Sequence, residues 1–318
     1  MDWFEITEFY KVCSPFQRRM YKLGADFLKY RFDECLVHRL RNFLKQKSYD
    51  IVYMISGAGM PREAFELLAP YNTYIQLLDG IKRFKHLEAD VSYFKHVYCF
   101  DYDDVSYLTE KYPNISVEYR PVYYDNRIFY PDESTVRDID ISFIGSTYPN
   151  RLRALERVTQ YVADHGLSML VGGYWYKGRH WWKRIQFNHR HKWLLPYLEN
   201  RLFSAEEAAA VYRRSKICLN INCEDHKSLN PRTFEILATK SFQLMDRGPL
   251  SHGLLDLSRD LCLYDDLDDM IEKIDYYLHH EQERQRIADT GYEHVKDVLA
   301  IQNHPEPINQ CCHKREYV

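Results

Sequence analysis

Short apolar runs of strand length alternate with helical segments along most of this 318-residue chain, and this alternation most constrains its fold. In the first half the runs are DIVYMIS (50–56), TYIQLLDG (73–80), HVYCFD (96–101) and SVEYRP (116–121). Strands of this length separated by short helices predict a parallel sheet with helices on its faces. The expected fold class is therefore α/β.

The alternation stops in a polar segment and then restarts. Residues 123–138 lack helical periodicity, whereas IDISFIGS (139–146) reads as a new strand. Gly166 is the expected C-cap of the helix that follows. Ser204 and Glu207 have the spacing of a capping box at the start of a later helix. We expect two α/β domains, an N-terminal domain (1–125) and a C-terminal domain (139–297). A linker (126–138) joins them, and a tail (298–318) follows.

Composition limits the class of protein. Hydrophobic residues make up 45% and charged residues 28% of the chain, which is typical of a soluble globular protein. A net charge of -3 gives no indication of a nucleic-acid partner. The eight cysteines form no C-x-x-C pair, and the first twenty residues do not resemble a signal peptide. We expect a cytoplasmic protein that at most rests peripherally on the inner face of a membrane.

The run NPRTFEILA (230–238) predicts a helix whose first turns carry two functional candidates. Asn230 is a preferred N-cap and the following proline is favoured at the first helical position. Arg232, near the helix N-terminus, can pair with a diphosphate, and Glu235 can accept hydrogen bonds from ribose hydroxyls. The alternative is an ion pair on a solvated face, worth about 0.2–0.5 kcal/mol.

Glycines follow two strands of the second half. Gly145 and Ser146 end the strand at 139–146, and Gly172 and Gly173 end the next one. Glycine at the carboxyl end of a strand lets a ligand approach the backbone, although a plain turn is the alternative. Together with the arginine of the later helix, these turns are expected along one edge of one sheet.

Residues 172–193 combine aromatic side chains with Lys, Arg and His. This composition fits a membrane interface, a carbohydrate platform or a groove for single-stranded nucleic acid. The simpler alternative is an amphipathic helix that packs Trp181, Trp182 and Ile185 against the domain. The histidines of this segment lack companion ligands at metal-site spacing, so we predict no metal.

Carboxylates end two strands of the first half. Asp79 can face a cleft and act as a base or acceptor ligand. Asp101 precedes YDDVSYL, and a helix N-cap is its favoured role. The sequence contains no Ser-His-Asp order, Walker A or H-E-x-x-H motif.

Several motifs of the second half recur together in a known family. The first is an N-x-R-x-F-E helix followed by a small strand, in NPRTFEILATKSFQLMD. An acidic Y-D-D turn and a pair of helices ending RQRIADTG come next. DISFIGSTYPNRLRALERV opens the same half. This pattern resembles the C-terminal domain of group 1 glycosyltransferases and is most similar to their spore-maturation (CgeB-like) branch.

The resemblance implies a GT-B fold, in which two Rossmann-like domains face across a cleft. The N-terminal domain would be truncated or atypical, because helical sequence stands before Asp50. A nucleotide sugar would be held mainly by the second domain, with no metal or other cofactor. By position, Arg232 would be a catalytic phosphate ligand and Glu235 a ribose ligand. The remaining donor-site residues would be Gly145, Ser146, Gly172, Gly173 and Asn230.

The function implied is that of a metal-independent glycosyltransferase, with a hexosyltransferase as the predicted kind. It would move a sugar from a nucleotide-diphosphate donor to a saccharide, glycolipid or cell-surface polymer in polysaccharide biosynthesis. Asp79 is the candidate on the acceptor side, and residues 172–193 are the candidate for peripheral membrane contact. The alternative is a catalytically idle GT-B-like protein that binds a nucleotide sugar or glycan as a scaffold or partner subunit.

Overall fold

The computed structural model describes residues 2, 4, 26–57, 59–83, 85–176, 181–223, 227–249 and 251–296. The chain divides into two compact units, Met1–Arg120 and Pro121–Val318. Each unit has its own parallel sheet and its own apolar core. The α/β fold class predicted from the alternation of strands and helices is confirmed.

The first unit contains four described strands and four described α-helices. They are β1 (Ile51–Ile55), β2 (Asn72–Gln76), β3 (His96–Cys99), β4 (Ser116–Tyr119), α1 (Asp26–Leu44), α2 (Arg62–Leu68), α3 (Lys85–Asp90) and α4 (Tyr102–Lys111). The strands pair in parallel in the order β1-β2-β3-β4. Helix α1 buries Leu36, Leu40 and Leu44 in the core of the unit, because residues four apart share one helix face. Residues 5–25, which were also predicted to be mostly helical, lie outside the described residues.

The second unit is larger. Its strands are β5 (Ile139–Ile144), β6 (Met169–Gly172), β7 (Leu198–Glu199), β8 (Ser215–Asn220), β9 (Gln243–Asp246) and β10 (Cys262–Tyr264). Its helices are α5 (Pro149–His165), α6 (Trp181–Arg190), α7 (Ala205–Arg214), α8 (Pro231–Ala238), α9 (Leu267–His279) and α10 (Glu281–Val295).

The strand order of the second sheet is β10-β9-β8-β5-β6-β7, and all neighbours are parallel. The chain therefore builds outward from β5 through β6 to β7, and then returns to the other side of β5 to add β8. This reversal makes a topological switch point between β5 and β8. Open α/β sheets bind ligands at such a point, outside the carboxyl ends of the strands.

The segment predicted as a linker, residues 126–138, packs onto the second unit. Phe129 is buried, with its ring centroid 6.4 Å from that of Tyr212. Arg137 Nη1 donates a hydrogen bond of 2.7 Å to the carbonyl of Ser215. These residues are therefore part of the second unit rather than a free connection ahead of it.

The helix ends predicted from local motifs are confirmed. Gly166 is the C-cap of α5 and has a left-handed φ of 64°. Ser204 and Glu207 form both hydrogen bonds of the capping box at the start of α7. Asn230 caps α8, which begins at Pro231 as expected.

Gly291→Ala should destabilise the second unit. A Cβ at Gly291 would lie 2.3 Å from the carbonyl oxygen of Asp260 and 2.7 Å from Leu237 Cδ2. Overpacking costs about 1–3 kcal/mol, which exceeds the gain of at most about 1 kcal/mol in helix propensity. Gly248→Ala is the matched control, because nothing described lies within 4 Å of its Cβ position. Urea denaturation that shows equal stability for the two variants would contradict the close approach.

Candidate functional site

The turns after β5, β6 and β8 meet at the switch point. The chain leaves β5 into Gly145 and Ser146, and it leaves β8 into Ile221. The backbone N–H of Gly145 donates a 2.9 Å hydrogen bond to the carbonyl of Gly172, which joins the turns after β5 and β6. The two glycine turns that were predicted to share one edge of the sheet are thus in contact.

The glycines allow these turns to approach each other closely. Gly173 has a φ of +135°, a conformation that L side chains rarely adopt. A Cβ at Gly173 would lie only 2.1 Å from the carbonyl oxygen of Gly145. Gly172 is explained differently, because its Cβ position lies 2.6 Å from the ring of Phe203. A ligand-facing role for Gly172 stays a prediction.

Arg232 points from the first turn of α8 to the same edge. Its Nη1 donates to Asn220 Oδ1 at 3.2 Å, and its Nη2 lies 2.7 Å from the Cβ position of Gly145. The guanidinium lies 5.2 Å from the ring centroid of Phe143, within range of a cation–π interaction. Arg232 therefore stands beside the glycine turn and next to the positive end of the α8 dipole.

A second cation at this edge, Arg151, is buried and was not among the predicted residues. Arg151 lies in the first turn of α5 and is 6% exposed. Its Nε donates a hydrogen bond of 2.9 Å to the carbonyl of Ile221, and its Nη1 donates one of 3.0 Å to the carbonyl of Ser146. Burial, and then the charge of Arg232, lower its pKa to about 9, so the guanidinium is still charged at neutral pH. The available sequence signal was an arginine in the first turn of a helix directly after a glycine turn.

Amide side chains fix the loop between β8 and α8. Asn230 Oδ1 accepts from the backbone N–H of Thr233 at 3.1 Å, and Asn230 Nδ2 donates to Asn220 Oδ1 at 2.9 Å. Asn230 also contacts Asn222, whose backbone N–H and Nδ2 donate to Asp246 Oδ1 at 2.8 and 2.9 Å. Asn230 therefore holds both ends of the loop that carries Arg232 to the edge of the sheet.

Glu235 faces inward. Its side chain is 2% exposed, so the alternative of an ion pair on a solvated face is wrong. Burial raises the pKa of Tyr212. The charge of Arg232 lowers this pKa and the charge of Glu235 raises it, so both charged groups act on the same phenol. Contact of Glu235 with a ribose stays a prediction.

Trp175 brings an indole N–H to the same region. The residue is buried, and its Nε1 has no hydrogen-bond acceptor among the described residues. This nitrogen lies 3.2 Å from the Cβ position of Gly173, and the indole packs edge-on against Phe143 with centroids 6.1 Å apart. Asn200 Oδ1 fixes the loop by accepting from the backbone N–H of Trp175 at 2.8 Å. A buried donor left unpaired costs about 1–3 kcal/mol, which an acceptor atom on a ligand would recover.

The two carboxylates singled out in the first half both lie in the first unit. Asp79 follows β2, and its Oδ1 accepts from the backbone N–H of Gly80 at 2.9 Å. Its role on the acceptor side stays a prediction. Asp101 caps α4 by accepting from the backbone N–H of Asp103 at 3.1 Å, as expected.

The aromatic and basic segment 172–193 contains α6, but its tryptophans do not pack as the simpler alternative required. Trp181, Trp182 and Ile185 are 73%, 50% and 58% exposed. That alternative is wrong because Phe187 takes the inward face of the helix. Across the described part of the chain, no group of three His, Cys, Asp or Glu side chains is placed to hold a metal ion. No described helix is both long and apolar enough to cross a membrane.

Comparison with known sequences assigns the family. Residues 138–303, slightly more than half of the chain, match the family model described as "Glycosyl transferase-like". The chain therefore belongs to this glycosyltransferase-like family, as the resemblance predicted. It is 24% identical over 183 residues to spore protein CgeB of Bacillus subtilis (strain 168). The match covers 53% of this chain and 52% of CgeB, so the chain spans about half the length of this curated relative.

Comparison with solved structures confirms the GT-B fold. Sucrose-phosphate synthase from Thermosynechococcus elongatus has a TM-score of 0.63 at 10% identity, over 86% of this chain and 75% of that one. HepE from Anabaena, solved in complex with UDP-glucose, also has a TM-score of 0.63 at 10% identity, over 86% of this chain and 80% of that one. At such low identity these similarities establish the fold alone.

Asn230→Ala should lower the free energy of unfolding by about 1–2 kcal/mol, because loss of an N-cap costs about 0.5–2 kcal/mol. Asn230→Ser is the matched variant: it keeps a capping oxygen but lacks the amide that bonds Asn220 and contacts Asn222. We expect Asn230→Ser to lose less stability than Asn230→Ala in urea denaturation. Equal losses would show that the cap is not the stabilising contact.

Proposed function

We propose that this protein transfers a sugar, with a hexose as the favoured kind, from a nucleotide-diphosphate donor. The acceptor would be a saccharide, a glycolipid or a cell-surface polymer, as in polysaccharide biosynthesis. Membership of the family and the GT-B fold support sugar transfer as the general class of activity. The observation that carries the donor site is the pair Arg151 and Arg232 at the switch point, beside the glycine turns after β5 and β6.

The proposed reaction exchanges one bond at the anomeric carbon for another. The bond from that carbon to the diphosphate oxygen breaks, a bond to an acceptor hydroxyl oxygen forms, and the hydroxyl proton passes to a base. Negative charge develops on the leaving diphosphate, where Arg232, Arg151 and the N-terminus of α8 would stabilise it. Because these groups supply positive charge, the proposed reaction needs no metal ion. Asp79 is the proposed base.

The remaining donor contacts follow from the positions of the turns. The backbone after β5 and β6 would approach the diphosphate, and the buried carboxylate of α8 would accept from the ribose. The proposed donor-binding set is Gly145, Ser146, Arg151, Gly172, Gly173, Trp175, Asn230, Arg232 and Glu235.

Arg232→Ala should weaken binding of a nucleoside diphosphate by about 10- to 150-fold, the range expected for a charged hydrogen bond of about 1.5–3 kcal/mol. The variant keeps the hydrogen bond that Asn220 Oδ1 accepts from Asn230, and thermal unfolding without nucleotide checks that it folds. Binding of UDP, GDP, ADP and CMP is measured by calorimetry and thermal shift without added metal. UDP is the first choice, since UDP-glucose is bound in the HepE structure.

Arg286→Ala is the control for this measurement, because Arg286 lies on α10 with a side chain that is mostly exposed. It should bind the nucleotide as the unmodified protein does. Failure of all four nucleotides to bind the unmodified protein would overturn the proposed donor site. So would an Arg232→Ala variant whose affinity is unchanged.

Trp175→Phe tests the buried indole N–H separately from the charges. Phenylalanine keeps an aromatic ring against Phe143 but cannot donate a hydrogen bond. We expect affinity for the nucleotide to fall by roughly 2- to 12-fold, since a neutral hydrogen bond is worth about 0.5–1.5 kcal/mol. Calorimetry with the nucleotide identified above measures it. Unchanged affinity, with unchanged thermal stability of the free protein, would remove Trp175 from the donor-binding set.

A catalytically idle protein that binds a nucleotide sugar or glycan as a scaffold or partner subunit is the second candidate. The observation that favours it is the small first unit, whose described sheet has four strands. Both candidates bind the nucleotide, so turnover distinguishes them. Release of nucleoside diphosphate from the matching nucleotide sugar, dependent on an acceptor and lost in Asp79→Asn, supports transfer. Tight binding with no release across saccharide and glycolipid acceptors supports the scaffold.

A further inference from the structure

Helix α6 exposes an apolar surface that the proposed transfer reaction does not use. Trp182 and Ile185 follow Trp181 by one and four residues, which places all three on one side of the helix. Trp181 and Ile185 are more than half exposed, and Trp182 is half exposed. Full burial of one such side chain is worth about 1.5–3 kcal/mol, so this surface has a strong tendency to be covered.

The opposite side of α6 anchors the helix to the second unit. The ring of Phe187 packs 5.1 Å from that of Tyr176 and 4.8 Å from that of His191. Phe187 and Trp193 are both partly buried against the core of the unit. The helix is therefore held by its C-terminal half, and the tryptophans at its start face outward because the inward face is already occupied.

The charged residues within this stretch of the chain have one sign. No Asp or Glu occurs between Gly173 and Leu198, whereas that stretch contains six Lys or Arg residues in a chain of net charge -3. Among the described side chains, those of Arg184, Arg190 and Lys192 are exposed. An apolar surface flanked along the chain by basic residues is complementary to a partner that is anionic at its surface and apolar beneath.

We propose that α6 docks this protein onto the surface of an anionic phospholipid bilayer. Tryptophan suits the boundary between headgroups and acyl chains, because its ring is apolar and its N–H is polar. Ile185 would insert at the same depth, and Arg184 and Arg190 would contact lipid phosphates. An aliphatic side chain does not stack on bases, which favours a bilayer over single-stranded nucleic acid. The inference is independent of the proposed transfer reaction.

Vesicle flotation tests the proposal with the full chain. Vesicles of phosphatidylcholine alone are compared with vesicles that also contain phosphatidylglycerol. The unmodified protein should bind the anionic vesicles at least about tenfold more tightly and lose that binding as salt is raised. Its tryptophan emission should shift to shorter wavelength on binding. Equal binding to both vesicle types, or binding to neither, would overturn the proposal, as would binding to single-stranded oligonucleotide in place of vesicles.

Variants separate the apolar and charged parts of the surface. Trp181→Ala with Trp182→Ala should abolish the emission shift and reduce binding to anionic vesicles by about tenfold or more. Arg184→Glu with Arg190→Glu should remove the preference for anionic lipid. Arg286→Glu is the matched charge reversal on a different helix and should bind as the unmodified protein does. Nucleotide binding is measured on the same samples. Variants that no longer bind vesicles but still bind nucleotide support the proposal. Unchanged vesicle binding in both double variants overturns it.

Discussion

The buried guanidinium of Arg151 is the contact on which the candidate site depends. It joins the carbonyl of Ser146 after β5 to the carbonyl of Ile221 after β8, and so spans the point where the sheet changes direction. A buried charge is tolerated only when it is well hydrogen-bonded, and here two carbonyls and the faces of Phe143 and Tyr148 surround it. This one side chain therefore ties the two loops together at the switch point.

Two arginines of like charge at one edge support the proposal that the site binds an anion. The charge of Arg232 adds to burial in lowering the pKa of Arg151, whereas the carboxylate of Asp246 acts in the opposite direction. A bound diphosphate would relieve the repulsion between the arginines and add charge-assisted hydrogen bonds to both. The side chains are held beforehand by Asn220, by the loop carbonyls and by the packing on Phe143, so little reorganisation accompanies binding.

Sequence reasoning succeeded where the signals were local. The start of α8 followed from Asn230 and Pro231, and the glycine turns followed from the ends of two apolar runs. Arg151 was missed because its role depends on β8 lying beside β5, a pairing of distant segments that no local pattern reveals. The orientation of α6 stayed open between alternatives for the same kind of reason: either of its faces can be buried, and only the tertiary contacts of Phe187 decide between them.

The turn after β6 and the helix proposed to dock are both attached to the second unit. Asn200 bonds the backbone of Trp175 and Tyr176 at the point where the chain leaves the sheet toward α6, and β7 returns the chain beside β6 immediately before Asn200. Because Phe187 packs α6 against the core of the second unit, docking of α6 would orient that unit on a bilayer. If both proposals hold, the proposed donor site would lie near anionic lipid, which would favour the glycolipid among the three proposed acceptor classes, because only that acceptor is confined to the same surface. Transfer to a glycolipid presented in vesicles should then depend on Trp181 and Trp182, whereas transfer to a soluble saccharide should not.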